Sequence, residues 1–143
     1  MKITLKQVGG NKMNTLDLLL QMDESKLKKP SKDIEMKRLS ELLGEQVIFK
    51  VEALSPAKME EVQELCMDEK TDNINLAELQ LLTTIEGVKE PNLKSKELMD
   101  KFGVYTPKDL VRKILLPGEI ISLYGIIGDL SGFDGGIVEE VKN

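Results

Sequence analysis

The chain has 143 residues, 41% of them apolar and 31% charged, with a formal net charge of -5, no His, one Cys and only 3% aromatics. Such a mix predicts one soluble domain with an aliphatic core, its seven Met serving as adaptable filler. It excludes the commonest general base and any Cys/His metal site, and no run of about 18 apolar residues offers a membrane span.

The charge is unevenly spread. Residues 1–38 hold nine Lys/Arg against five Asp/Glu, a net +4, and residues 39–143 hold eleven against twenty, a net -9. An acidic body disfavours duplex DNA, where affinity depends on cancelling phosphate charge. The basic arm reads either as a solvated leader or as a segment that docks on an acidic surface. The N-terminus, MKITLKQVGG, lacks a signal-peptide pattern, and the lone Cys66 allows no internal disulfide, so a reducing cytoplasm is expected.

In chain order, Ile3, Leu5 and Val8 alternate with polar residues ahead of Gly9-Gly10, which allows a short strand. Those glycines, placed just before Met13, also have the look of a ribosome-binding site translated in frame, so Met13 is a candidate natural start. Asn14 is placed to cap a short helix whose Leu16, Leu19 and Leu20 share a face. That helix either tucks onto its own domain or serves as a detachable partner-binding helix. Asp23 to Lys32 is polar and broken by Pro30, a linker pattern. Ile34 and Met36 alternate as a strand, Ser40 to Gly44 gives a single helical turn, and Gln46 to Ala53 gives a second strand with Val47, Phe49 and Val51 inward. An antiparallel pair near residues 33–53 is marginal alone, so it must lie on helices or pair further.

Helices follow. Ser55-Pro56 opens one with Met59, Val62, Leu65 and Cys66 on a common face, and Asn75 opens another with Leu79, Leu82 and Ile85 inward and a stop at Gly87. Val88 to Lys94 reads as a turn around Pro91. Ser95 caps two turns bearing Leu98, Met99 and Phe102, stopped by Gly103. Thr106 to Gly132 carries the most apolar surface in phase. It reads as two helices hinged at Leu116-Pro117-Gly118, the first bearing Leu110, Val111, Ile114 and Leu115, the second Ile120, Leu123, Tyr124, Ile127 and Leu130, with Gly132 as a left-handed stop. The fold class expected is mainly α with a small antiparallel β element (α+β). Its divisions are an arm, short helix and linker over 1–32, one globular domain over 33–132, and a glycine-rich exit and tail over 133–143.

No residues nominate themselves for catalysis, cofactor binding or metal ligation. Cys66 is in phase with Met59 and Val62 and reads as a buried small hydrophobe. The acidic loop Asp68, Asp72, Asn73, Asn75, Glu78 lacks the spacing and central glycine of a calcium loop. Gly125, Gly128, Gly132, Gly135 and Gly136 form no phosphate-binding fingerprint, and Gly125 and Gly128 are expected to allow close helix packing or a bend. A helix-turn-helix could be assembled from Ser95–Phe102 and Thr106–Leu116, but its second helix offers only Lys108, Arg112 and Lys113 beside an acidic body.

Three stretches taken together, KRLSELLGEQVIFKVEALSP (37–56), IEGVKEPNLKSKELMDKFGVYTPKDLVRKILLPGEI (85–120) and LYGIIGDLSGF…VEEVKN (123–143), resemble the XkdN-like tail assembly chaperones of long-tailed phages and phage-derived contractile particles. The resemblance covers about residues 14–143, with EGV-x-EPNL, KFG-x-x-TP and LLPGEI in order as its most specific pieces, and leaves out Met1 to Lys12. It implies a non-enzymatic protein of the host cytoplasm. Such a protein shelters the tape measure protein until tail tube subunits polymerise around it, and is absent from the finished particle. It also implies a longer form made by ribosomal frameshifting that recruits the tube protein. The other reading is a structural tail component, a tail-completion or baseplate adaptor, retained in the particle. On either reading no nucleic acid or membrane partner is expected, and self-association is allowed. For the partner surface the sequence offers Leu16, Leu19 and Leu20, and, off the main stripe of the last helix, Ile121 and Ile126.

Overall fold

In the computed structural model, residues 13–136 and 138–141 are described. The proposed strand over Ile3 to Val8 lies outside them, as does any structural test of Met1 against Met13. Helix α1 (Thr15–Leu20) comes first, with the Asn14 side chain accepting from the Asp17 N–H. A short 3-10 turn at Glu24–Lys26 interrupts the exposed segment after it. Strand β1 (Ser31–Glu35) begins inside the stretch the sequence gives to the linker, and α2 (Lys37–Leu43) comes next as two turns rather than one, stopped by Gly44 at φ 73°. Met36, expected in the strand, stands between them as a buried junction whose N–H donates to the Val47 carbonyl.

Strand β2 (Ile48–Glu52) pairs antiparallel with β1, Ile34 opposite Phe49, and sends Phe49 and Val51 into the core. Helix α3 (Pro56–Leu65) is capped by Ser55 and buries Val62, with Cys66 buried at its end. Leu65 departs from expectation: it lies at the edge of the Met59–Val62–Cys66 stripe, and its side chain is exposed. Helix α4 (Leu76–Gly87) is capped by Asn75 and packs against α3. Its burial is wider than the predicted stripe. Leu81, Thr83, Thr84 and Ile85 are buried, while Leu79 and Leu82 are half-buried. A helix apolar nearly all round belongs between neighbours, and LQLLTTI supplies that character.

Gly87 does not end the chain's regular structure. The next residue starts β3 (Val88–Glu90), which pairs antiparallel with β2 and completes a three-stranded sheet in the order β1-β2-β3. The sequence reads this stretch as a turn because three residues are too short to display a period of two. After it, α5 (Lys96–Phe102) ends at Gly103 with φ 68° and leaves Phe102 exposed. Helices α6 (Pro107–Ile114) and α7 (Pro117–Gly128) meet at the expected Pro-Gly hinge. The helical chain continues as a π-type turn, Asp129–Phe133, broken by Gly132 at φ 99°.

One core joins sheet and helices: Phe49 and Val51 from β2, Leu81 and Ile85 from α4, Val111 from α6, Leu123 and Ile127 from α7, with Leu93 and Leu115 filling between. The α4–α7 contact is close because residue 87 has no side chain. A Cβ there would stand 2.4 to 2.8 Å from three side-chain carbons of Ile127. Gly125 and Gly128, the glycines the sequence offers for close packing, face open space instead, with nothing within 4 Å of an added Cβ.

Candidate partner-binding surfaces

Three surfaces carry apolar groups that the fold leaves uncovered, and α7 forms part of two. Its position is fixed at both ends. Glu119 accepts from the Leu116 N–H at 2.7 Å, which serves the bare N-terminus of α7, and the same carboxylate pairs with Arg38 of α2 at 2.7 Å. Arg38 Nη2 also donates to the Ile114 carbonyl at 2.8 Å, so one guanidinium ties α2 to the end of α6 and the start of α7. Burial pulls the Glu119 carboxyl upward, but the hydrogen bonds from Arg38 and Leu116 outweigh it and hold the pKa below the ordinary carboxylate value. The Arg38 guanidinium is raised, chiefly by its hydrogen bond to Glu119. At the other end, Ser131 donates to the Ile127 carbonyl and accepts from the Leu54 N–H, pinning the exit of β2.

On one flank of α7, Gly118, Ser122 and Ile126 face β1 and the start of α2. With Ile34, Met36 and Leu116 they line a groove of about 430 Å³ beside the edge strand. Opposite, Tyr124, Gly125 and Gly128 face α3 and α4 across a cleft of about 300 Å³, further lined by Met59, Gln63, Leu79, Thr83, Asp129 and Phe133. The Thr83 hydroxyl in that wall is buried, with the residue 1% exposed, and finds no hydrogen-bond partner among the described residues. Thr84 beside it is satisfied by the Gln80 carbonyl.

The sequence-derived partner residues therefore fall in three places. Leu16, Leu19 and Leu20 stand 64%, 58% and 73% exposed on a helix that buries none of its residues. Ile121 is 53% exposed and lies one turn before Gly125 on the strip leading into the α3–α4 cleft. Ile126 is less exposed than the sequence suggests. It is half-buried, packs against the core and belongs to the opposite flank, because its position lies next to the Leu123–Ile127 stripe. Met59, Leu79 and Thr83 were not singled out for partners, since apolar residues at helical spacing read as core. The signal that could have found the cleft is Gly125-x-x-Gly128, read above as close packing or a bend, which places two residues without side chains on one helix face.

Elsewhere the polar groups serve the fold. Glu78 pairs with Lys108 at 2.6 Å and Arg112 at 3.3 Å, linking α4 to α6, and the Lys108 hydrogen bond lowers its pKa. Two of the three cations a DNA-reading helix would need are thus engaged at home. Asn75 and Asp68 of the acidic loop accept from the backbone N–H groups of Glu78 and Lys70. Burial pushes the Cys66 thiol up in pKa, as fits a packed hydrophobe. Among the described residues no group of three or more Cys, Asp or Glu is placed to hold a metal, and no helix is long and apolar enough to cross a membrane.

A family model described as phage XkdN-like tail assembly chaperone protein matches residues 16–143. The crystal structure of the protein yqbn shares the fold, with a TM-score of 0.58 and 20% identity over 73% of this chain and 87% of that one. Among curated proteins none matches.

Proposed function

This chain belongs to the phage XkdN-like tail assembly chaperone family, and we propose that it acts by sheltering apolar helical segments of the tape measure protein, without catalysis, while the tail tube assembles. The observation that carries this reading is α1, a capped helix whose Leu16, Leu18, Leu19 and Leu20 are all exposed on the chain that carries them. Isolated helices this short are marginal in water, so such a helix gains order when its apolar residues find a partner surface. The leucines lie at recognition spacing for a helix packed against another helix. Aliphatic surface on an acidic body stays soluble when empty and accepts varied sequences when occupied.

The tail tube protein is the second proposed partner, engaged through a frameshifted longer form that continues beyond the glycines at Gly132, Gly135 and Gly136. The site of action proposed is the host cytoplasm, and the protein is absent from the mature particle. Co-expression with the tape measure protein tests the main claim. The wild type should keep it soluble and co-purify with it, and the triple variant Leu16→Asp, Leu19→Asp, Leu20→Asp should lose both properties while melting at an unchanged temperature. A tape measure protein equally soluble with the variant would remove α1 from the role. Stoichiometric recovery of the chain from purified particles would replace the chaperone with an adaptor.

A further inference from the structure

Asp134 and Gly135 stand where the chain leaves the body, exposed and outside every helix and strand. We propose that this pair is a site of spontaneous modification, at which the main chain is re-routed through the Asp134 side chain to leave an isoaspartyl linkage. The Gly135 nitrogen attacks Cγ of Asp134. An N–Cγ bond forms, a Cγ–O bond breaks, and the carboxyl hydroxyl leaves as water with the amide proton. Water then opens the cyclic imide. Addition at Cγ restores aspartate. Addition at the main-chain carbonyl breaks the original peptide bond, so the chain runs through Cγ and the old carbonyl carbon ends as a free carboxylate. The two steps leave the mass unchanged and need no oxidant, reductant or cofactor.

Of the nine Asp in the sequence, Asp134 alone precedes a glycine, and no Asn does. A glycine nitrogen has no adjoining side chain to crowd the attack. The fold restrains the other eight as well. Asp17, Asp33, Asp100, Asp109 and Asp129 sit in helices, a strand or the π-type turn, where the backbone cannot rotate without breaking its hydrogen bonds. The carboxylates of Asp23 and Asp68 accept from the N–H groups of Ser25 and Lys70, and the nitrogen that follows Asp72 donates to the Thr71 hydroxyl. Asp134, at φ -80° and ψ -6°, needs a rotation about its Cα–C bond to bring the Gly135 nitrogen against Cγ. Gly135 and Gly136, at φ 78° and 72°, have nothing within 4 Å of an added Cβ, so the chain beyond swings through open space.

The isomer inserts a methylene into the main chain directly after Phe133, which lines the α3–α4–α7 cleft, and moves the negative charge from the side chain to the main chain. The tail after residue 134 then leaves the body along a different path. The last apolar residue packed on the core is Leu130, so the body itself keeps its stability. The reaction requires only this chain and water, whatever the protein shelters.

Ageing the folded full chain at neutral pH and physiological temperature tests this. The wild type should accumulate isoaspartyl carboxylates, read by methyl transfer from labelled S-adenosylmethionine with an isoaspartyl methyltransferase. Peptide mapping should place them at residue 134 with no change in mass, and a protease that cuts before Asp should lose cleavage after Phe133 to the same extent. The melting temperature should stay where it was. Asp134→Glu should lose the signal, because its longer side chain closes a less favoured ring, and Gly135→Ala should slow it markedly. Asp129→Glu should leave it unchanged. An aged wild type without the mark, a mark spread over the other aspartates, or a signal undiminished in Asp134→Glu overturns the proposal.

Discussion

Helices α1 and α7 both open on a defined N-terminal signal and both are rich in Leu or Ile, yet α7 buries Leu123 and Ile127 completely while α1 buries nothing. The difference lies in their neighbours. α7 is held by the Arg38–Glu119 pair at its start, by Ser131 at its end, and by Gly87, whose missing side chain lets Ile127 come close. α1 has one Asn14 cap and then an exposed connecting segment. Caps and spacing decide that a turn of helix forms; they do not decide what covers it. The contrast gives α7 a part in stability and leaves α1 exposed for the recognition role proposed above, and mutations should separate the two.

The largest effect is expected at Leu123, 1% exposed in the middle of the core cluster. Leu123→Ala removes a buried side chain and leaves a cavity between α4, α7 and β2, and should cost about 2–5 kcal/mol in urea unfolding. A loss below about 1 kcal/mol would mean that α7 is not the element the core is built on. Next comes Gly87→Ala. Its methyl would press on Cδ1, Cγ1 and Cγ2 of Ile127, and since the two Cγ atoms cannot swing away as the chain end can, overpacking should cost about 1–3 kcal/mol. The added mutation Ile127→Val should recover part of that loss, because the two residues share one space.

Much of this was legible from the residues. The hinge at Leu116-Pro117-Gly118, the caps Asn14, Ser55, Asn75, Ser95 and Thr106, and the inward Phe49 and Val51 all stem from local chemistry, and local chemistry survives folding. What was not legible depends on partners distant in sequence. The strand at Val88–Glu90 exists because β2 is there to pair with it, and three residues hold no pattern of their own. Gly87 could be read as a helix stop but not as a packing glycine, since that role is set by Ile127, forty residues later. The same blindness left Gly125 and Gly128 readable as sites of close packing or of a bend and set Ile126 on the outside, when which flank of α7 is covered depends on where α2, β1, α3 and α4 lie.

The clamp at the start of α7 is a smaller and pH-dependent contribution. Glu119→Gln removes the charge while keeping an acceptor for the Leu116 N–H, and should cost about 1 kcal/mol at neutral pH, the scale of a partly exposed charge-assisted hydrogen bond. The sign of its pH dependence is set by the lowered pKa of Glu119. A carboxylate held below its usual value of 4.5 contributes fully above that value and loses the contribution as pH falls through the folded pKa. Wild type and variant should therefore differ most near pH 7 and converge below pH 4.5. A gap that is constant from about pH 7 to about pH 3 would assign the effect to packing instead of charge.

The smallest stability change belongs to α1. Leu19→Ser exchanges an exposed leucine for a polar residue on a helix with no buried neighbours, and unfolding of the isolated monomer at low concentration should shift by no more than about 0.5 kcal/mol. A cost of about 2 kcal/mol or more in the dilute monomer, on the scale of a buried leucine, would place α1 against its own body, and the contrast with α7 would disappear.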